Sequence, residues 1–277
     1  MAAPRTLSLL NLIMVALNFG WIAFLESGFL FNYSFTDTIS FYPSYLTPAK
    51  FTYKIWIFTG LIMISAAYLM YQGTQKNTLN INTFKKVQKI DYLLILNQTA
   101  LGLSMALKHH DYFLWSIIFS TICLVSILGI NRRIEIKKLT SNSFTRYFIR
   151  LGFGVYTGWL IFVLGFNSTA IISKFGIQIG EELFFYLNIL VFALITIAIS
   201  LYSYLYYLPT VSAVLVWGSY GAFHQLSQYP LSENYNFKPL LIGAMTIGSI
   251  LTAYNYYRCS VRRNIQPIIM QKPPSIT

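Results

Sequence analysis

Eight stretches of nearly unbroken apolar residues recur along the chain, at 7–25, 55–72, 92–107, 112–130, 147–172, 183–208, 210–226 and 239–257. A bilayer crossing takes about 20 residues, so each stretch can serve, the third and seventh being the shortest. Apolar and polar residues do not alternate within them, as they would in the strands of a membrane barrel. Backbone N–H and C=O groups find no water in hydrocarbon, so each stretch must close its hydrogen bonds along a helix. The predicted fold is all-α: a polytopic membrane helix bundle of about eight transmembrane helices, forming one integral membrane domain over 1–277. The first stretch follows a lone Arg5 and is succeeded by Phe24, Leu25 and Glu26. Those residues do not make the small-x-small site of a cleaved leader, so a retained helix is expected.

The polar positions between the stretches sharpen this picture. Charged residues are 10% of the chain, hydrophobic residues 56%, and the mean hydropathy is +0.56. A soluble chain carries about 25% charged residues, so this one cannot coat a water-facing surface. If all eight stretches cross, the N-terminus, the even-numbered loops and the C-terminal tail share one side. That side collects Arg5 and Arg150, Lys76, Lys85, Lys86 and Lys89, Arg132, Arg133, Lys137, Lys138 and Arg146, and Arg258, Arg262, Arg263 and Lys272. The other side receives Lys50, Lys54, Lys108, Lys174 and Lys238. By the positive-inside rule both termini are expected on the cytoplasmic or matrix side. Tyrosines such as Tyr68, Tyr204 and Tyr257 gather at the basic ends, the depth at which a ring with a wet hydroxyl belongs. The net charge of +12 does not imply nucleic acid, because the basic residues lie in separate short loops rather than along one face.

The connections differ in kind. The first, 26–54, is long and aromatic (Phe41, Tyr42 and Tyr45 among others) and is expected to lie over the helix ends as a lid. The second, 73–89, is basic and polar and reads as a solvated loop. The tail from 258 onward, with Pro267, Pro273 and Pro274, reads as extended. Asn32-Tyr33-Ser34 is a glycosylation sequon, usable only in a secretory membrane. Pro48, Trp56 and Gly60 share their spacing with Pro209, Trp217 and Gly221, a weak internal echo of the kind transporter repeats leave.

Chemistry inside the stretches is sparse. Arg150 lies near the start of the fifth, where it can snorkel, and His224 near the end of the seventh. Charges within a membrane span mark proton relays and ion coupling, and their scarcity argues against both. His109, His110 and Asp111 form the most metal-like group, but adjacent histidines diverge by about 100° on a helix, and no third ligand has zinc-like spacing. Cys123 and Cys259 are not expected to pair. No nucleophile–base set, carboxylate pair or phosphate loop is present, so no cofactor and no catalysis are expected. Glu181 and Glu182 complement the dipole at a helix start. Asn11, Asn18, Asn97, Asn167 and Asn188 lie within predicted helices, where an amide must either join helices or face a cavity. Gly152, Gly154, Gly158 and Gly165 permit close approach of the fifth helix to its neighbours. Trp159, midway along it, requires a buried partner for its indole N–H.

Three pieces of sequence resemble a known family. LTPAKFTYKIW at 46–56 resembles the FTPAGYTFSIW signature of tryptophan-rich sensory proteins, RLGFGVYTGW at 150–159 their RLPFSLYLGW, and VLVWGSYG at 214–221 their LVFVWALIGI. A more distant similarity links the first five helices to the translocator-protein (TspO/MBR) family. Its second-helix Pro and Trp correspond to Pro48 and Trp56, its third-helix Leu-Asn to Leu96 and Asn97, and its fifth-helix Tyr-x-x-Trp and later Asn to Tyr156, Trp159 and Asn167. Ala100 stands where that family has a further Trp. The resemblance implies a TspO-like five-helix part at 1–173, a three-helix extension at 183–257 and the tail at 258–277. It also implies a cavity binding a porphyrin-, sterol- or lipid-like molecule.

The expected ligand-binding residues are Trp56, Asn97, Tyr156, Trp159 and Asn167, converging beneath the first loop. Three functions fit the sequence: binding or translocation of an apolar small molecule, a structural subunit of a larger membrane complex (a mitochondrial one among the options), and an enzyme acting on lipid. Membrane lipid, a porphyrin or sterol-like ligand and other membrane subunits are the corresponding partners.

Overall fold

The computed structural model describes residues 3–29, 34, 36–37, 41–75, 80–138, 144–174, 180–229, 231–232 and 235–270. The sequon positions 32 and 33 and the tail from 271 lie outside the described residues. All eight apolar stretches are helical: α1 (Pro4–Glu26), α2 (Ile55–Gln72), α4 (Leu93–His109), α5 (Phe113–Arg133), α6 (Phe144–Lys174), α7 (Glu181–Tyr206), α8 (Pro209–Gln228) and α9 (Lys238–Met270), with a short α3 (Ile81–Ile90) between the second and third. A 3₁₀ turn, Lys50–Lys54, leads into α2. The last helix continues through Met270, past Pro267, where an extended tail was expected.

α3 departs from the sequence reading of 73–89 as a solvated loop. The Asn80 side chain caps it, accepting from the N–H groups of Asn82 and Thr83 at 3.1 Å each. Thr83, Val87 and Ile90, at i, i+4 and i+7, face inward, while Lys85, Lys86 and Lys89 occupy the rest of a ten-residue helix and hide that stripe. The chain turns at Asp91, with φ 51°, and α4 leaves at 53° to α3.

α6 is the central helix. It packs against α2 and α5 on one flank and α7 and α8 on the other, so it joins a group of α1, α2, α4 and α5 to a group of α7, α8 and α9. Close approach to α8 requires glycine at 158, where a Cβ would stand 3.1 Å from the Val211 carbonyl oxygen. Outward faces carry Leu17, Ile57, Leu61, Val125, Leu194 and Ile250, each more than half exposed. Such a band suits lipid and could not suit water on this scale.

Among the described residues, five helices qualify as spans by length and apolarity alone (α1, α2, α5, α6 and α7), and the bent α3–α4 pair makes six. α8 falls short because it carries Ser212, Ser219, His224, Gln225 and Gln228. It is also sheltered, packed by α6, α7, α9 and the 3₁₀ turn, so it need not present an apolar face all round. The tyrosines at the basic ends divide: Tyr204 and Tyr254 stack near the surface with centroids 6.1 Å apart, whereas Tyr202 turns inward and accepts a hydrogen bond from Asn131 at 2.9 Å.

Candidate functional site

The first connection packs as a plug. Tyr45 is buried among Phe184 and Phe185 of α7 and Phe237 at the start of α9, with centroids 5.4–5.9 Å away. The Ser44 hydroxyl accepts from Thr169 Oγ1 on α6 at 2.9 Å. Further out, the Glu26 carboxylate accepts from the backbone and hydroxyl of Thr36. Lys50 Nζ meets Asp37 at 2.5 Å, and this ammonium, with the Ser34 N–H and hydroxyl, holds the Asp37 carboxyl at about 2.

Beneath the plug, Tyr53 from the 3₁₀ turn, Trp56 from α2 and Tyr156, Trp159, Phe162 and Phe166 from α6 form an aromatic column. Trp56 lies 6.2 Å from Trp159 and 6.4 Å from Tyr156, Tyr53 lies 6.0 Å edge-on to Trp159, and Phe162 stacks on Trp159 at 5.8 Å. These residues are packed together because α2 crosses α6 at the turn bearing Trp56, and the i, i+3 spacing of Tyr156, Trp159 and Phe162 places them on one side of α6. Trp159 is fully buried, yet its Nε1–H meets no acceptor among the described residues, contrary to the partner expected for it. The Tyr53 hydroxyl, also buried, has none either.

Asn97 adjoins this column. Its Oδ1 accepts from Tyr156 Oη at 2.9 Å and from Gln98 Nε2 at 2.9 Å. Its Nδ2 donates to the Cys123 carbonyl at 2.7 Å and to Ser126 Oγ at 3.0 Å. Asn18 of α1 extends the network through Gln98 Oε1 at 2.8 Å. All four hydrogen-bonding positions of the Asn97 amide are therefore filled from within the bundle. Four of the five expected residues, Trp56, Asn97, Tyr156 and Trp159, stand together.

Asn167 stands apart, further along α6, where its Oδ1 accepts from Lys108 Nζ. Lys108 is buried, its ammonium 4.8 Å from the centroid of Phe166, the last ring of the column. This corrects the expectation that Lys108 lies in a loop and that the interior is nearly free of charge. α4 runs two residues beyond its apolar stretch, and its buried face continues through Leu94, Asn97, Leu101, Ser104 and Lys108. That periodicity was the available signal; hydropathy alone ends the helix at Leu107. Next to it His109 is buried and His110 exposed, and Asp111 pairs with Lys174 at 2.7 Å.

At the opposite end of α6, Arg150 does not snorkel outward. It donates to the Ile136 carbonyl at 2.7 Å and the Tyr207 carbonyl at 2.5 Å, and lies 3.4 Å from Cys259 Sγ. Tyr207 is the left-handed C-cap of α7, so the guanidinium complements the negative end of that helix. The two cysteines are apart and free.

The arrangement is an aromatic column with two idle donors at its centre and a buried cation at one end, enclosed by apolar helices that suit a membrane. No curated protein and no solved structure matches the chain. The pattern of the TSPO-like protein family matches residues 8–256, running from the first helix into the last, and the chain belongs to that family of integral, multi-pass membrane proteins.

Proposed function

We propose that this protein binds or carries an apolar small molecule with a polar edge, porphyrin-, sterol- or lipid-like, in the core between α2, α4 and α6 beneath the first connection. The observation that carries this reading is the pair of buried donors, Trp159 Nε1 and Tyr53 Oη, with rings 6.0 Å apart and no acceptor for either among the described residues. A buried donor without a partner costs about 1–3 kcal/mol, which a ligand carrying an acceptor would offset. Tyr53 sits on the short turn beneath the plug, so its ring is the one whose displacement would open space against Trp159. A flat apolar body fits between rings, and Lys108 supplies a cation to an acidic edge. The reading involves no catalysis and places both termini on the more basic side, cytoplasmic or matrix.

Quenching of tryptophan fluorescence by protoporphyrin tests it. Saturable quenching in the wild type, weakened severalfold in Trp159→Leu, is the expected result, since one aromatic contact is worth about 0.5–1.5 kcal/mol. Absence of saturation, or identical behaviour of the variant, removes the reading. One observation favours the alternative of a structural subunit in a larger membrane complex: Asn97 is fully satisfied internally and offers a ligand nothing. Co-purification with fixed partner chains under mild detergent would then be the outcome.

A further inference from the structure

A second site stands at the end of α8, and none of the five residues discussed above lines it. It is a half-open cleft of about 610 Å³ between the 43–51 segment and the last turns of α8, within the size range of small-molecule sites. Its walls are fixed before any ligand arrives. The Ala49 N–H donates to the Gly221 carbonyl at 3.0 Å, and Trp217 Nε1 donates to the Thr52 carbonyl at 2.9 Å. The two segments touch this closely because 221 is glycine; a Cβ there would stand 2.0 Å from Thr52 Oγ1.

The lining divides into two parts. Phe51, Leu226 and Leu231 give an apolar side, and His224 and Gln228 lead the polar one. The His224 ring is held edge-on by Phe51 at 5.2 Å and flanked by Tyr220 at 6.4 Å. Its Nδ1 is buried and has no hydrogen-bond partner among the described residues. Lys50 also lines the cleft, but its ammonium is matched by Asp37 at 2.5 Å. The charge at the rim is thereby balanced, and an anionic head would gain little over a neutral one. A hydroxyl suits the idle nitrogen in either tautomer, because it can donate or accept.

We propose that this cleft holds a neutral, hydroxyl-headed, single-chain lipid of the monoacylglycerol class, with its hydroxyls at His224 and the Gln228 carboxamide and its chain along Phe51 and Leu226. The proposal does not depend on the aromatic column. The test is photolabelling of the full chain in detergent with a diazirine-bearing monoacylglycerol, followed by peptide mapping. Labelling of the 43–54 and 220–229 peptides should saturate and be displaced by monoolein but not by oleic acid at the same concentration. His224→Leu should lower that labelling roughly fivefold, the worth of one hydrogen bond, while labelling on the lipid-facing side of α7 stays constant and reports an intact bundle. Gln228→Leu changes an exposed position and should act in the same direction; it decides the matter if His224→Leu does not purify. Labelling that never saturates, equal displacement by oleic acid, or unchanged labelling in the folded variants would overturn the proposal.

Discussion

Tyr156 on α6 donates its hydroxyl proton to Oδ1 of Asn97 on α4 at 2.9 Å, and Cys123 Sγ of α5 approaches the Tyr156 hydroxyl oxygen at 3.0 Å. Three helices therefore meet at one phenol. With its own proton given to Asn97, that oxygen is left to accept from the Cys123 thiol. Tyr156→Phe removes the bond but leaves Asn97 its Gln98 donor, and should lower stability by about 0.6–1.7 kcal/mol, the range for polar pairs between membrane helices. Asn97→Leu takes the acceptor from both Gln98 Nε2 and the Tyr156 hydroxyl and a donor from the Cys123 carbonyl, and should cost more, about 1–3 kcal/mol. Thermal unfolding of both variants in one detergent would rank them; the reverse order would show that the network contributes little.

Glycine supplies a second contrast. A Cβ at Gly158 would meet backbone of α8, which cannot step aside, whereas a Cβ at Gly20 meets nothing within 4 Å. Gly158→Leu should separate α6 from α8 and destabilise by about 1–3 kcal/mol or more. Gly20→Ala should stabilise by up to about 1 kcal/mol through helix propensity. If both changes move the melting temperature equally and in one direction, the close approach of α6 to α8 is not the reason glycine stands at 158.

These contrasts bear on what the chain discloses before it is folded. The eight helices are legible because lipid imposes a length and an apolarity that short loops interrupt. The convergence of Trp56, Asn97, Tyr156 and Trp159 was also expected, from the resemblance and from the need of deep polar groups to face inward. Three features were not legible, each for a local reason. The inner stripe of α3 is three residues among lysines, too short for periodicity to outweigh charge. Lys108 reads as a loop residue because hydropathy counts its charge and not its place on the buried face of α4. Asn167 was grouped with the others through the resemblance, as the later Asn of the fifth helix, although eight residues along a helix separate it from Trp159 by about 12 Å.

The first connection provides a pH test. The folded-state carboxyl of Asp37 is lowered from 3.8 to about 2, chiefly by Lys50 and then by Ser34. A depressed carboxyl contributes stability that is fully present above its unfolded value and disappears as pH falls through the folded one. The contribution should therefore be constant above about pH 5, decline through about pH 3 and be gone only near about pH 1, below both values. Both partners are partly exposed, so it should not exceed about 1 kcal/mol. Comparing thermal unfolding of wild type and Asp37→Asn between about pH 5 and about pH 1 isolates it. The two curves should converge at the acid end; a constant gap across the window would mean that the pair does not titrate as the geometry requires.

The buried ammonium of Lys108 separates stability from binding. It donates to Asn167 Oδ1 and faces the Phe166 ring, and the burial of a charge in this setting is costly. Lys108→Met keeps the length and apolar stem of the side chain and removes the charge. Replacing a buried ionic group by an apolar one of similar volume is often neutral or stabilising, so the variant should unfold at or above the wild-type temperature, less any loss from the unpaired Asn167 oxygen. Its effect on binding should be opposite. If the ligand of the aromatic column carries an acidic edge, losing the cation that faces the column's last ring should weaken protoporphyrin quenching severalfold. A neutral, alcohol-headed quencher of similar size should be unaffected. Equal loss for both quenchers would assign Lys108 to the packing of α4 against α6, and a sharp fall in melting temperature would do the same. A fall for the acidic quencher alone, at unchanged stability, would tie the buried charge to the ligand.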